Sequence, residues 1–334
     1  MNRVATVRSP EGPTAAMPDA HAPRNRFVSV LDFTPEQLEA CLTLASRLKR
    51  ERALGPCAPT ANALAARHVA LLFDKPSLRT RATFEVAVSE LGGRVMALPA
   101  DVALGEREPI ADVARNLERW VHGVVIRTFA HQIVEDFAAA APRLAVINAL
   151  TDEEHPCQAL ADYQTLREHV GTLAGRTIAY VGDGNNVAAS LVHAGLMLGV
   201  SVHVASPAGY ELPARVVEHA SRRARHGATV QLFTDPGEAV SGVVAVYTDV
   251  WTSMGQEHEA AQRRRVFAPY QVNADLLGRV GRNAYVMHCL PAHRGEEITS
   301  EVLDAPVSLA LDQAENRLHA QKALLLMLLA RQYV

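Results

Sequence analysis

The chain alternates short apolar runs with longer segments in which apolar residues recur every three or four positions. Four apolar runs lie in the first half, at 69–73, 94–98, 123–127 and 144–148. Six follow in the second half, at 177–181, 201–205, 229–233, 243–247, 284–287 and 307–311. Short apolar runs that alternate with helical segments are typical of buried parallel strands. The pattern predicts an α/β protein with two consecutive domains, each a mostly parallel sheet flanked by helices.

The predicted helices carry recognisable signals at their ends. Thr34 and Pro35 begin one helix, with an N-cap and a proline in the first turn. Residues 109–120 place their apolar side chains on one stripe. A long helix near 156–169 divides the two series of strands. A last helix, over about 314–332, is expected to pack back onto the first sheet.

These elements predict four segments along the chain. Residues 1–26 lack periodicity and are expected to form a disordered extension, followed by domains at 27–160 and 161–312 and a C-terminal helix at 313–334. Two other interpretations of the extension stay open, a translation start at Met17 or a mitochondrial presequence. Because parallel sheets present their ligand-binding loops at the carboxyl ends of the strands, we expect the active site in the cleft between the domains.

Composition narrows the class of protein. The 334 residues are 49% hydrophobic and 21% charged, as in ordinary globular proteins, and the net charge of −3 gives no bulk attraction to nucleic acid or an anionic membrane. The apolar run 323–330 is far shorter than a membrane span. The four cysteines match no metal or redox spacing, which predicts reduced thiols and a cytoplasmic protein without a metal.

Residues 73–81 form the first motif that indicates chemistry. A strand ends at Phe73, and Ser77 is placed to cap a helix with the stripe Phe84, Val88 and Leu91. The free amide groups of that helix start, together with Ser77, Thr80 and Arg79, would then form a phosphate cradle. The other interpretation is an ordinary capped helix with solvated arginines.

Two further groups suit a phosphorylated, amide-like ligand. Arg127 ends a strand predicted to be buried, so its charge needs an anionic partner. His155 opens the long helix and can donate a hydrogen bond to a carbonyl oxygen, while Gln158 can both donate and accept. The other interpretation of His155 is an N-cap.

Residues 182–186, which read Gly-Asp-Gly-Asn-Asn, resemble the start of a dinucleotide-binding motif. Val187 stands where the third glycine belongs, and the next strand ends in Ser206 and Pro207 rather than in an acid. A nicotinamide-dependent dehydrogenase is therefore disfavoured. Asn186 instead offers a neutral amide that suits a carboxylate or an amine.

Two more strand ends carry reactive groups. Asp249 precedes Trp251 and a small Ser253-Met254-Gly255 turn, so it is either a partner for a substrate ammonium or part of an Asx turn. Residues 288–291, His-Cys-Leu-Pro, bring a thiol to the sheet edge. Cys289 is a buried structural residue, a zinc ligand or a nucleophile, and zinc is disfavoured because no second ligand has a familiar spacing.

Taken in this order, the motifs resemble those of the aspartate/ornithine carbamoyltransferase family, and the detail is closest to its ornithine branch. Residues 77–81 and 155–158 look like the carbamoyl phosphate motifs. Residues 249–255 and 288–291 look like signatures of the ornithine branch, and 314–317 like the family's final segment. The resemblance covers roughly residues 27–334.

The resemblance implies a role for each matching residue. Carbamoyl phosphate would be held by Ser77, Leu78 (through its backbone), Arg79, Thr80, Arg127, His155, Gln158, Cys289, Leu290 and Arg317. L-Ornithine would be held by Asn186, Asp249, Ser253 and Met254. Catalysis would fall to Arg127, His155, Asp249 and Cys289, with Cys289 and Leu290 between the two substrates.

The implied reaction converts carbamoyl phosphate and L-ornithine into L-citrulline and phosphate, in arginine metabolism and without cofactor or metal. The family also implies a homotrimer or a multiple of trimers, with each site completed by a neighbouring chain. Ala103 departs from the family pattern, which puts one contact between subunits in doubt. Two alternatives remain: a carbamoyltransferase for N-acetylornithine or putrescine, and an inactive relative that only binds a metabolite.

Overall fold

Two five-stranded parallel sheets follow one another in the computed structural model, which describes residues 25–74, 77–99, 104, 107–253, 255–281 and 283–334. The strands of the first sheet are β1 (Arg26–Phe27), β2 (His68–Phe73), β3 (Arg94–Leu98), β4 (Gly123–Arg127) and β5 (Ala145–Leu150). Those of the second are β6 (Thr177–Val181), β7 (Ser201–Ala205), β8 (Val230–Phe233), β9 (Ala245–Thr248) and β10 (Tyr285–His288). The prediction of two parallel sheets flanked by helices is confirmed.

Helices connect the strands and cover the sheets. In the first half they are α1 (Pro35–Glu51), α2 (Leu78–Glu90), α3 (Ile110–Trp120), α4 (His131–Ala140) and α5 (Pro156–Val170). In the second half they are α6 (Asn186–Met197), α7 (Ala214–Arg223), α8 (Pro236–Ala239), α9 (Ala260–Phe267), α10 (Ala274–Gly278), α11 (Ser300–Leu303) and α12 (Ala310–Leu329). The first turn of α1 has the predicted cap, with Thr34 Oγ1 accepting from the Gln37 amide.

Two predicted boundaries are wrong. Residues 307–311 do not form a strand: Ser308 makes an isolated bridge to Val286, and α12 already begins at residue 310. The segment pairs with β10 at this single bridge only, because the helix starts immediately afterwards. Asp312 favours that helix start, since a carboxylate in the first turn stabilises the positive end of the helix dipole. The disordered extension was predicted to reach residue 26, but Arg26 pairs with Val146 at the edge of the first sheet.

Some predictions lie outside the described residues. These are the state of residues 1–24 and the roles of Ala103 and Met254. No helix among the described residues combines the length and the apolar character needed to cross a membrane.

Three helices join the two sheets into one body. The last helix, α12, packs against α1, α2 and α5, so the C-terminal segment lies on the first half of the chain. Helix α5 in turn packs against α6, where the Tyr163 hydroxyl donates to the Leu191 carbonyl at 2.8 Å. The fit is close, since a Cβ on Gly195 would lie 2.3 Å from the Tyr163 oxygen. This contact allows little sliding between the halves.

Strand order places one crevice at the carboxyl edge of each sheet. The first sheet runs β1-β5-β4-β2-β3 and the second β10-β9-β6-β7-β8. In the first sheet, the chain continues in opposite directions from the neighbouring strands β2 and β4, where Phe73 pairs with Arg127. In the second sheet, it does so from the neighbouring strands β6 and β9, where Tyr180 pairs with Tyr247. Ligands of open α/β sheets bind at such points. Both crevices open into the same cleft.

Candidate active site

A cleft of about 1730 Å³ separates the carboxyl edges of the two sheets. Most of the residues singled out from the sequence line it: Ser77, Arg79, Thr80, Arg127, His155, Asn186, Asp249, Ser253, Cys289, Leu290 and Arg317. Two of the others do not. The Leu78 side chain is 79% exposed and points elsewhere, which agrees with a role for its backbone only, and Gln158 lies buried beneath the surface, behind Arg317.

Two buried arginines converge on one hydroxyl group in the first wall. Thr80 Oγ1 accepts from Arg127 Nη1 at 3.3 Å and from Arg317 Nη2 at 3.1 Å. The other hydrogen bond of these heads goes to a second neutral oxygen, Gln158 Oε1, at 2.5 Å from Arg317 Nη1. Both Nε atoms are buried without a hydrogen-bond partner among the described residues. The pair is therefore bound to neutral groups and lacks a bonded counter-charge.

The electrostatic cost of this arrangement appears in the arginines themselves. Burial, and then the charges of Arg317 and Arg79, lower the pKa of Arg127 to about 10. Burial likewise lowers the pKa of Arg317. Arg127 still carries its proton at neutral pH, because 10 lies well above 7. A cluster of like charges in a partly dry cleft favours an anion that is rich in acceptor oxygens.

The start of α2 differs from the predicted cap. Ser77 is the residue before the helix, but its side chain forms no capping hydrogen bond. Its ψ of 104° departs from the 155° and 162° at Ser29 and Thr34, whose side chains do cap their helices. The backbone turn that admits Ser77 to the cleft thus rotates its side chain away from the helix amides. Ser77 lines the cleft instead.

His155 contributes a neutral imidazole to the same wall. Burial, and then the charges of Arg317 and Arg127, hold the pKa of His155 well below its usual range. Its backbone amide donates to Ser190 Oγ at 2.9 Å, whereas its ring caps nothing and leaves Nδ1 buried without a partner among the described residues. His155 does occupy the N-cap position of α5, as the other interpretation predicts, but its side chain makes no capping hydrogen bond. A neutral ring fixed in place can donate one hydrogen bond to a ligand oxygen.

The opposite wall presents a carboxylate between an amide and a thiol. Asp249, just after β9, accepts from Asn185 Nδ2 and from Cys289 Sγ, each at 2.9 Å. Asn185 was missed in the sequence: it caps α6 by accepting from the Val187 and Ala188 amides, so its amino group is left to face Asp249. Its neighbour Asn186 also lines the cleft, but donates to the Thr151 carbonyl at 2.5 Å.

Cys289 is a thiol rather than a thiolate. Burial raises its pKa well above the ordinary range, and the adjacent Asp249 carboxylate raises it further. Since the thiolate is the nucleophilic form of cysteine, the interpretation of Cys289 as a nucleophile is disfavoured. The neighbouring residues of the loop fix the position of Cys289. The Leu290 amide donates to His288 Nδ1 at 2.9 Å. His288 Nε2 therefore carries the ring proton and donates to Glu297 at 3.0 Å. Glu297 was not identified from the sequence as part of the site.

These bonds also bear on metal binding. In the part of the chain that the structure describes, one group of three potential ligand atoms lies within 4.8 Å, from Asp249, His288 and Cys289. Both ring nitrogens of His288 are already hydrogen-bonded, and Cys289 holds its proton against Asp249. The group is therefore better described as a proton-bearing hydrogen-bond chain than as a preformed metal site.

A second pair that the sequence did not reveal closes the far end of the cleft. Arg263 on α9 donates to Asp183 at 2.7 Å and to the Trp251 carbonyl at 2.9 Å. Burial raises the pKa of Asp183 despite this partner. The bond ties the β6–α6 turn to the segment after β9, and thereby fixes the wall that carries Asp249.

Known proteins provide an independent comparison. The family models described as "Aspartate/ornithine carbamoyltransferase, carbamoyl-P binding domain" and "Aspartate/ornithine carbamoyltransferase, Asp/Orn binding domain" match residues 25–168 and 174–328. The chain is 51% identical over 306 residues to an ornithine carbamoyltransferase of Acidothermus cellulolyticus, covering 91% of this chain and 96% of that one. It is 49% identical over 304 residues to an anabolic ornithine carbamoyltransferase of Pseudomonas aeruginosa, covering 91% and 96%.

A solved structure extends this likeness to the fold. The ornithine carbamoyltransferase from Pyrococcus furiosus superposes with a TM-score of 0.87 at 47% identity. The match covers 92% of this chain and 97% of that one. The similarity therefore includes both sheets and the cleft between them.

The protonated state of Cys289 leads to a prediction. At pH 8, iodoacetamide should alkylate the exposed Cys57 well before Cys289, because the thiol of Cys289 ionises only at higher pH. Asp249→Asn removes the negative neighbour and should speed the alkylation of Cys289 roughly tenfold for each pKa unit recovered. Peptide mass spectrometry over time measures both rates.

A matched control lies in the same cleft. Asp152 also lines it but bonds to the His131 amide, so Asp152→Asn should leave the rate at Cys289 unchanged. Equal acceleration by both variants would mean that opening of the cleft, and not the charge of Asp249, controls the thiol.

Proposed function

The chain belongs to the aspartate/ornithine carbamoyltransferase family, and we propose that it transfers the carbamoyl group of carbamoyl phosphate to the δ-amine of L-ornithine. The products are L-citrulline and phosphate. One observation carries the proposal: a cluster of arginines, to which no carboxylate of the described residues is bonded, faces a carboxylate placed between an amide and a thiol across a single cleft. The first wall suits a phosphate and the second suits an amino acid.

Carbamoyl phosphate occupies the wall of the first sheet in this proposal. Arg79, Arg127 and Arg317 neutralise its phosphate, assisted by Ser77, Thr80 and the backbone amides at the start of α2, beginning at Leu78. Two buried Nε–H groups that have no partner in the described part of the chain support this assignment, since a phosphate oxygen would satisfy each of them. Gln158 contributes through its bond to Arg317.

The reacting carbonyl lies next to His155. Because its imidazole is neutral, His155 donates a hydrogen bond to the carbamoyl oxygen without giving up a proton. This bond strengthens as negative charge gathers on that oxygen in the transition state, which is the property required of an oxyanion-stabilising group. Arg127 supplies positive charge on the same side.

L-Ornithine occupies the wall of the second sheet, on Asn186, Asp249 and Ser253. The family resemblance assigns Met254 to the same substrate, although this residue lies outside the described residues. The neutral δ-nitrogen attacks the carbamoyl carbon with its lone pair, the bond from carbon to the bridging oxygen breaks, and phosphate leaves with that electron pair. The nitrogen then releases one proton, which the departing phosphate takes up. Asp249 and Cys289 face the reacting region, where they orient the amino acid and assist this release, and the Leu290 backbone lies beside them.

The alternative acceptors differ in the charges that they present. Putrescine lacks the α-carboxylate and N-acetylornithine lacks the α-ammonium, so neither uses both ends of an amino-acid site. Asp249 faces the cleft as a carboxylate acceptor, and its hydrogen bonds come from neutral donors only, which supports a substrate with a free ammonium group. The relatives named above support ornithine itself.

A comparison of acceptors tests the proposal. Purified protein with carbamoyl phosphate should have its highest kcat/KM with L-ornithine, ahead of N-acetylornithine, putrescine and L-aspartate. Citrulline and the other ureido products are measured by their colour reaction and by mass spectrometry. A higher kcat/KM with another amine would replace ornithine in the proposal, and a complete absence of phosphate release would indicate an inactive relative that binds metabolites.

The arginine cluster gives a second prediction. Arg79→Ala should lower kcat/KM for carbamoyl phosphate on the order of 10²-fold or more, the scale of removing one transition-state donor. Arg81 lies on the same helix but pairs with Glu85 on the exposed surface and does not line the cleft, so Arg81→Ala is the matched control. Steady-state rates for both variants decide the matter. An R79A rate within threefold of that of R81A would contradict the role given to Arg79.

We also propose that the chain forms homotrimers, or multiples of them, in which a neighbouring chain completes each site. One edge of the first sheet supports this. Strand β3 has no partner on its outer side among the described residues, and Met96 on β3 and Val86 on α2 are 37% and 39% exposed. An open edge bordered by apolar side chains is typical of an interface. Because Ser77 and Arg79 open the same helix, a chain docked there would lie close to the phosphate wall.

This proposal predicts a mass and its loss. Light scattering should give about three times the 36.1 kDa of one chain, or a multiple of that value. Val86→Asp should dissociate the assembly and remove most of the activity. Leu232→Asp, on an exposed apolar residue at the edge of the second sheet, should change neither. A fully active V86D monomer would show that one chain suffices for the reaction.

Cellular context completes the proposal. We place the enzyme in the cytoplasm and in arginine metabolism. The four cysteines are all free thiols, which fits a reducing compartment. The anabolic name of the Pseudomonas aeruginosa relative supports a role in arginine biosynthesis, where citrulline is made for further use.

A further inference from the structure

A buried carboxylate that the proposed chemistry does not use lies between the two substrate walls. Asp162 on α5 accepts from Gln158 Nε2 at 2.7 Å, from Gln313 Nε2 at 2.8 Å and from the Tyr247 hydroxyl at 3.2 Å. It is almost fully buried. The four residues lie on α5, α12 and β9, so both halves of the chain meet at this one side chain.

The chemistry of an ionised carboxylate decides how its neighbours are oriented. A carboxylate only accepts hydrogen bonds, whereas a glutamine amide donates at one end and accepts at the other. Each glutamine must therefore turn its amino group toward Asp162 and its carbonyl oxygen away. The opposite orientation would bring carbonyl and carboxylate oxygens into contact inside the protein, where an unpaired polar group is costly.

The two carbonyl oxygens face different parts of the active site. Gln158 Oε1 accepts from Arg317 Nη1 in the phosphate wall. Gln313 Oε1 accepts from the His288 amide at 2.9 Å, immediately before Cys289 and Leu290. Tyr247, the third donor, lies on β9, two residues before Asp249, which follows the strand. Asp162 thus reaches each wall through a single intermediate side chain.

On the basis of the proposed function, we infer that Asp162 is a positioning residue that fixes the amide orientation of Gln158 and Gln313. Through these two glutamines it holds Arg317 and the Cys289–Leu290 segment in register with each other. Asp162 itself contacts no cleft surface. Its effect on the reaction passes through Gln158 to the carbamoyl phosphate end and through Gln313 to the acceptor end.

The ionisation of Asp162 agrees with this role. Burial raises its pKa to about 6, while the hydrogen bonds from Gln313, Gln158 and Tyr247 act in the opposite direction. At pH 8 the side chain is therefore a carboxylate. The two glutamines need a hydrogen-bond acceptor at residue 162 more than they need its negative charge. Leucine and asparagine at this position should therefore have different effects on the reaction.

The test compares two substitutions at residue 162 with one control. Asp162→Leu keeps the approximate volume but accepts nothing, so both glutamines are free to turn. Asp162→Asn can keep its oxygen toward both glutamines and its amino group toward the Tyr247 oxygen. Thr165→Val is the control: it removes the bond from Asn316 Nδ2 at 2.9 Å across the same pair of helices, one turn away, without touching either glutamine.

We expect D162L to lower kcat/KM on the order of 10²-fold, as a misplacement of reacting groups by about 1 Å does. D162N should stay within about fivefold of the unsubstituted enzyme. T165V should lower the melting temperature without changing the kinetics. If D162L falls within threefold of the unsubstituted enzyme, or if T165V loses as much activity as D162L, the inference is overturned.

Two further variants keep the inference testable where D162L does not fold. Gln158→Met should weaken the binding of carbamoyl phosphate to the free enzyme at least tenfold, measured by calorimetry without any amine. Gln313→Met should leave that binding within twofold and lower kcat at least tenfold. Identical profiles for Q158M and Q313M would show that the network only stabilises the fold, and would overturn the inference.

Failure of the proposed function gives a different result. In that case the unsubstituted protein itself neither binds carbamoyl phosphate nor releases phosphate with any amine. If the unsubstituted protein carbamoylates an amine other than ornithine, the same variants are compared with that amine, and the expected contrast between Q158M and Q313M stays the same.

Discussion

The hydroxyl oxygen of Thr80, shared by two buried arginines, is the contact on which the rest of the site depends. Bringing Arg127 and Arg317 to one neutral atom holds two like charges in a partly dry cleft, which costs free energy unless a strong anion is bound. The fold tolerates this because the two heads come from unrelated elements, the end of β4 and the middle of α12. Both elements are packed into the core over most of their length. Rigid backbones thus hold together two like charges that would otherwise move apart.

Parallel topology explains why so much of the site was predictable from local sequence. Strand ends were visible as apolar runs, and chain direction places all of their carboxyl ends at the same edge. Arg127, Asp249 and Cys289 are predictable because each lies at the end of such a run or two residues beyond it. The pairing of Phe73 with Arg127 then brings the start of α2 beside the arginine without any information beyond strand order.

The residues that escaped prediction are those whose partners are distant in sequence. Asp162 looks like one polar residue among several on α5, and only folding brings Gln313 and Tyr247 to it. Local geometry misled in two other places. Serine is a residue type typical of a helix N-cap, but the ψ angle of Ser77 differs from that of the residues whose side chains cap their helices. The apolar segment 307–311 forms one bridge and then continues into a helix. The hydrophobic pattern of a segment predicts which face of a helix or strand is buried. The direction of one side chain depends instead on backbone angles that the tertiary structure sets.

The position of Arg317 in the last long helix has a consequence for biosynthesis. A ribosome makes α12 after both sheets, and this helix covers apolar faces of α1, α2 and α5 while it brings Arg317 to the cleft. A chain that stops before α12 therefore lacks one of the two arginines at Thr80 and exposes the surface that α12 would bury. Such a product is inactive and is a natural substrate for chaperones or proteases. The arginine pair at Thr80 therefore forms only once α12 has been made and has packed against the first half of the chain.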